Sequence, residues 1–146
     1  NSQVLYAGTT DGAYKTSNGG LSWSPAGDGL WGRKVWSFAV DPSDSGTVYA
    51  GTNNGIYRSL DAGGWWTRVG LAGSEVYTVL IDPLEPHHVY GGTGGNGVHG
   101  SSNDGDTWTA MNAGLGNLVV EALALDGGTC HKLQAGTHNG VWTYSR

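Results

Sequence analysis

The chain has 146 residues and 15.2 kDa, room for one domain or part of a larger assembly. Its 27 Gly follow no G-X-Y period, which excludes collagen and disfavours long helices, while its Val, Leu, Tyr and Trp content excludes disorder. Seven Lys+Arg against twelve Asp+Glu give a net charge of −5, which argues against nucleic acid or an anionic membrane as partner.

In chain order, Leu5-Tyr6-Ala7-Gly8-Thr9 reads as a strand, Thr10-Asp11-Gly12 as a turn and Gly12–Thr16 as the returning strand. The same phrase recurs as Val48-Tyr49-Ala50-Gly51-Thr52, Val89-Tyr90-Gly91-Gly92-Thr93 and Leu133-Gln134-Ala135-Gly136-Thr137. Each copy is followed by a Gly-terminated turn at Asn53-Asn54-Gly55, Gly94-Gly95-Asn96-Gly97 or His138-Asn139-Gly140, and by a strand over 55–59, 97–101 or 140–144. Asp-Gly and Asn-Gly predict type I′ hairpins, in which both central residues need φ > 0. A fourth strand is expected to begin at Trp23, Trp66 and Trp108. A further strand separates the units: Val35–Val40, Val76–Ile81 and Val120–Leu125, each closed by Asp41, Asp82 or Asp126. The last of these, within NLVVEALALD, suits a helix equally well when read alone. Its alignment with WSFAVD and YTVLID makes it a strand.

With the strand before each Asp labelled A, the chain reads BCD (4–26), ABCD (35–69), ABCD (76–111) and ABC (119–144). Four-stranded antiparallel units repeating at about 42 residues predict a single all-β propeller segment of about three and a half blades. Such a segment leaves open sheet edges and uncovered blade faces. Either a second copy completes the ring or the chain, which starts at Asn1, is a piece of a longer propeller. A ring-closing homodimer is expected, with eight blades favoured over seven.

Three octets lie between the third and fourth strands: Thr16 to Trp23 (with Asn18 and Gly20), Ser59 to Trp66 (with Asp61 and Gly63) and Ser101 to Trp108 (with Asn103 and Gly105). The Asp or Asn side chain and the hydroxyl are expected to accept turn amides, Gly to supply φ > 0, and Trp to anchor the turn between sheets. The pattern resembles the Asp-box, or bacterial neuraminidase repeat. Together with the Val-Tyr-Ala-Gly-Thr strand and the Asp-Pro strand ends, it resembles xyloglucanase-type glycoside hydrolase, sortilin-like and photosystem II assembly factor propellers. The resemblance implies a structural octet on the face away from the ligand. Two octets depart from it by carrying Asn, and the fourth unit ends at Tyr144-Ser145-Arg146 before any octet.

Sialidase chemistry needs converging arginines, and Arg33, Arg58, Arg68 and Arg146 are spread over different elements. In propellers the ligand face carries the D–A and B–C loops, and the tight B–C turns leave the D–A loops to supply a site. That places the candidate ligand-binding set at Trp31, Arg33, Trp36, Glu75, Tyr77 and Glu121. Trp36, Tyr77 and Glu121 share one repeat position, five residues before the strand-terminal Asp. Exposed rings beside polar groups suit sugars, and the alternative is packing of these rings between blades. A pair such as Glu75 with Glu121 has the residue types for glycosidase chemistry, and solvated rim acids are the alternative. His87, His88, Cys130 and His131 form a zinc-competent loop set without a closed motif, and Asn103–Asp106 lacks the distal Glu of a calcium loop, so no metal or cofactor is expected. The lone Cys130 precludes an internal disulfide, and an extracellular or periplasmic location is favoured. The leading reading is a non-catalytic, carbohydrate-binding module. A protein-docking scaffold and a fragment of a glycoside hydrolase propeller are the alternatives.

Overall fold

The computed structural model describes residues 3–126 and 132–145, and they form fourteen strands with no helix. In chain order these are β1 (Leu5–Thr9), β2 (Gly12–Thr16), β3 (Ser24–Pro25), β4 (Val35–Val40), β5 (Val48–Thr52), β6 (Gly55–Ser59) and β7 (Thr67–Gly70). They continue with β8 (Val76–Ile81), β9 (Val89–Thr93), β10 (Val98–Ser101), β11 (Thr109–Ala110), β12 (Val120–Leu125), β13 (Leu133–Thr137) and β14 (Gly140–Tyr144). Each sheet is an antiparallel meander: β1-β2-β3, β4-β5-β6-β7, β8-β9-β10-β11 and β12-β13-β14. The fold is an all-β propeller array of about three and a half blades, the first without strand A and the last without strand D. The ambiguous segment is β12, paired along its length with β13. Without a helix among the described residues, none is long and apolar enough to cross a membrane.

The B–C turns differ from the type I′ expectation. Only the closing glycine is left-handed (Gly12, Gly55, Gly97 and Gly140), while Asp11, Asn54 and Asn139 are not. The preceding Thr is the reason. Thr9, Thr52, Thr93 and Thr137 each donate Oγ1 to the carbonyl of that glycine and accept an amide from within the turn. The hydroxyl closes the turn with ordinary backbone angles, leaving one position that only glycine fills without strain. At the other end of strand A, Asp41 Oδ1 accepts the amides of Ser43 and Asp44, and Asp82 Oδ1 those of Leu84 and Glu85.

Each octet is a closed hydrogen-bonded turn. Ser59 Oγ accepts the amides of Asp61 (3.3 Å) and Gly63 (2.8 Å) and donates to Asp61 Oδ1 (2.7 Å), which in turn accepts the Trp65 amide (2.9 Å). Thr16 with Asn18, and Ser101 with Asn103, repeat the arrangement, so the amide oxygen of Asn replaces a carboxylate oxygen bond for bond. Two successive residues are left-handed, not one: Gly19-Gly20, Ala62-Gly63 and Asp104-Gly105.

Blades join through two repeated contacts. On the inner side, the glycine of the strand B phrase lies against the first residue of the next blade's strand A. A Cβ on Gly8 would stand 2.3 Å from the Val35 carbonyl oxygen, and one on Gly51 2.7 Å from that of Val76. On the outer side, the octet of each blade latches onto the blade before it. The Ala62 carbonyl accepts Tyr6 Oη (2.9 Å) and Lys15 Nζ (2.8 Å), and the Asp104 carbonyl accepts Tyr49 Oη (2.8 Å) and Arg58 Nη1 (2.6 Å). The left-handed turn directs these carbonyls outward. One hydrophobic cluster fills each junction, built around Leu30 and Trp66, around Tyr49 and Ile56, and around Tyr90 and Leu133.

The octet tryptophans therefore differ by position. Trp66 is buried and Trp108 is half-buried against the cluster of its junction. Trp23, expected to be anchored likewise, is 42% exposed, with no earlier blade among the described residues to cover it. The strand B phrase shows the same dependence: β5 and β9 are buried throughout, whereas β1 is half open.

Candidate functional site

Strand A carries the same irregularity in all three blades that contain it. The pairing of β4 with β5 steps from Val35–Thr52 to Ser37–Gly51, leaving Trp36 without a partner. Tyr77 is skipped in β8 and Glu121 in β12 in the same way. A β-bulge adds one unpaired residue and re-aims its side chain. Here the extra residues are Trp36, Tyr77 and Glu121, on three strands A that neighbour one another.

The indole of Trp36, 39% exposed, meets the Tyr77 ring edge-on, with centroids 5.0 Å apart and planes at 85°. This geometry sets the positive edge of one ring against the negative face of the other. The Tyr77 hydroxyl donates to Glu75 Oε2 at 3.0 Å. That bond, with burial and the charges of Glu75 and Glu121 behind it, raises the Tyr77 pKa above its ordinary 10.0 and keeps the phenol neutral. The Tyr77 ring also lies over Gly94, where a Cβ would come within 2.7 Å of the hydroxyl. Glu121 Oε1 pairs with His138 Nε2 at 2.9 Å. Neither the bulge nor His138 was evident in the sequence. The signal available for the bulge was the Gly before Thr in the repeated phrase, because Gly51 and Gly92 face it across the ladder.

The six candidate residues divide into two places. Trp36, Glu75, Tyr77 and Glu121 share the inner row. Trp31, 52% exposed, lies instead against Gly27 with its Nε1 on Asp28 Oδ1 (3.1 Å), at the junction of the first two blades. Arg33 is half-buried on the connection between them, its amide donating to the Leu30 carbonyl, and forms no ion pair among the described residues. The inner row is thus an exposed indole and a half-buried phenol at right angles, flanked by carboxylates and an imidazole: a surface for stacking and for accepting hydrogen bonds.

Among the described residues no three of His, Cys, Asp and Glu gather as a metal site. His87 Nδ1 contacts the Asp104 carboxylate at 2.9 Å and His88 Nδ1 contacts Glu85 at 3.2 Å, while Cys130 and His131 lie outside the described residues. Asn103 Oδ1 is occupied by the octet's own donors.

No protein-family model and no curated protein sequence matches the chain. Solved structures do. The chain is similar to an ancestral GH74 enzyme (TM-score 0.85, 22% identity, covering 98% of this chain and 21% of that one) and to the Niastella koreensis GH74 enzyme (TM-score 0.81, 23%, 95% and 24%). It is also similar to YCF48 bound to D1 peptide (TM-score 0.70, 13%, 99% and 48%). The chain spans about a fifth to a quarter of the GH74 enzymes and about half of YCF48. At these identities the likeness defines the propeller fold.

Proposed function

We propose that the chain is a non-catalytic binding module built from Asp-box propeller repeats, and that its ligand is a carbohydrate. The observation that carries this reading is the bulge repeated in β4, β8 and β12, which presents Trp36, Tyr77 and Glu121 together. A pyranose offers an apolar C–H face to an aromatic ring and hydroxyls to its rim, and the inner row offers a ring pair with acceptors beside it. Glu75 and Glu121 orient hydroxyls as acceptors, and the His138 imidazole beside Glu121 stands at the same rim. No cofactor enters this chemistry. Each carboxylate is already engaged, Glu75 by Tyr77 and Glu121 by His138, which favours binding over acid–base work.

A glycan array run beside a polysaccharide hydrolysis assay tests the proposal. Binding without turnover is the expected outcome. Turnover replaces it with the glycoside hydrolase reading, for which the GH74 neighbours are the supporting observation. Silence in both assays favours a protein-docking scaffold, the class suggested by the peptide-bound YCF48 neighbour. The Trp36→Ala and Tyr77→Ala variants are expected to weaken sugar binding about tenfold or more while remaining folded.

As it stands the chain forms one propeller segment, and we propose that two copies close a ring. The half-open β1, set against its fully buried equivalents β5 and β9, supports this. Light scattering near twice 15.2 kDa is expected, and a well-folded species at 15.2 kDa overturns it.

A further inference from the structure

The first junction differs from the second on its outer rim. Aligned on the octet tryptophans, Pro25 and Ala26 stand where the next blade carries Arg68 and Val69. Strand β3 has two residues against four in β7. The small side chains leave a groove of about 470 Å³ between the fourth strand of the first blade and the octet of the second. That volume lies within the roughly 300–1,000 Å³ usual for small-ligand sites.

The groove has a built wall. Trp31 lines it, and its indole is fixed at three points: Nε1 on Asp28 Oδ1, the six-membered ring near Gly12, and the fused bond over Gly27. Gly27 is buried, and a Cβ there would sit 3.5 Å from the indole, so one face of the ring rests on backbone. With 52% of the residue exposed, the rest of the ring is held ready at little entropic cost. The polar lining includes Ser17, Ser22, Ser24, Lys15 and Asp28, set among small residues such as Pro25 and Ala26. Asp61, also in the wall, is lowered from its ordinary pKa by the Trp65 amide and the Ser59 hydroxyl.

We propose that this rim groove is a second carbohydrate site, in which the exposed face of Trp31 stacks on a pyranose of a neutral oligosaccharide. Its walls carry both signs, Lys15 against Asp28 and Asp61, so a polyanion gains no net attraction and a polycation only that of one uncompensated carboxylate. A neutral ring with equatorial hydroxyls finds an apolar platform and donors and acceptors around it. The site stands on different residues from the inner row and shares with that reading only the chemistry of its ligand.

Calorimetric titration of the full chain with cellohexaose and with a xyloglucan nonasaccharide tests the proposal. Two classes of site are expected. Trp31→Ala weakens one class at least tenfold and leaves the other, while Trp36→Ala does the reverse. A single class lost with Trp31→Ala supports the rim groove and overturns the inner site. A single class lost with Trp36→Ala and indifferent to Trp31→Ala overturns the rim groove and leaves the inner site standing. Absence of binding to both sugars overturns both. Should Trp31→Ala fail to fold, the indole N–H resonance of Trp31 in the unaltered chain serves instead. It is expected to shift on adding sugar, and no shift at saturation overturns the proposal.

Discussion

The indole nitrogen of Trp66 donates to the carbonyl of Ala26 at 2.9 Å, joining residues forty positions apart in adjacent blades. Trp108 makes the equivalent bond to Val69. Trp23 occupies the same octet position and is 42% exposed. Equal residues in equal local turns therefore contribute unequally. Trp66→Ala is expected to cost about 3–5 kcal/mol in urea unfolding, the range for deleting a buried aromatic ring. Trp23→Ala is expected to cost under about 1 kcal/mol. Similar losses at both positions would mean that the octet tryptophans act within their own turns and not across blades.

Gly51 is required by close approach rather than by its own backbone angle. An added Cβ would stand 2.7 Å from the Val76 carbonyl oxygen, which cannot move without shifting a strand, and 2.8 Å from Ser37 Oγ, which would have to rotate away. Gly51→Ala is expected to destabilise by about 1–3 kcal/mol or more through overpacking. Gly20→Ser has open space and serves as a contrast, its cost coming only from the left-handed backbone. A thermal melt that leaves Gly51→Ala level with the unaltered chain would show that the blades can part at this point.

Ala62 holds φ of 57°, a conformation that costs a residue with a Cβ roughly 1–2 kcal/mol, while glycine gives back about 0.5–1 kcal/mol in unfolded-chain entropy. The first octet already has Gly19 at this position. Ala62→Gly is therefore expected to stabilise by up to about 1 kcal/mol, with its carbonyl still available to Tyr6 and Lys15. A lower unfolding midpoint in urea would contradict this.

Asp61 ionises below its ordinary 3.8, because the Trp65 amide and the Ser59 hydroxyl bond to its carboxylate. A carboxylate depressed in the folded state adds stability above its unfolded pKa, and that stability is lost as pH falls through the folded value. Asp61→Asn keeps an acceptor in place, as Asn18 and Asn103 do in the other octets. The variant is expected to melt slightly below the unaltered chain at pH 7 and to meet it in acid, once pH has fallen through the folded-state value and the carboxyl is protonated. A gap that widens in acid would exclude this origin.

The strands were legible because the repeat presents each one several times. NLVVEALALD alone has no preference between periods, and only its alignment with β4 and β8 identifies β12. The turns were half legible. Asn-Gly and Asp-Gly mark the hairpins, but the Thr two positions earlier decides their backbone angles, and dipeptide reasoning looks past it. The inner row emerged as three residues at one repeat position. That Trp31 parts from Trp36 was not legible, since five residues of D–A loop give no direction, and the bulge at Trp36 is a property of two strands together. Trp23 fails as an anchor for a related reason: its burial belongs to a neighbour and not to its own octet.

The carbonyls of Ala62 and Asp104, each taken up by a tyrosine and a cation from the blade before, make the first two boundaries separate cooperative steps. A molecule assembled this way behaves as a short linear lattice, in which each unit's free energy depends on whether the adjacent unit is ordered. In a single segment that has not closed into a ring, amide exchange would then follow position rather than sequence, slowest in β5 and β9 and faster toward β1 and β14, although their turns and phrases are nearly the same.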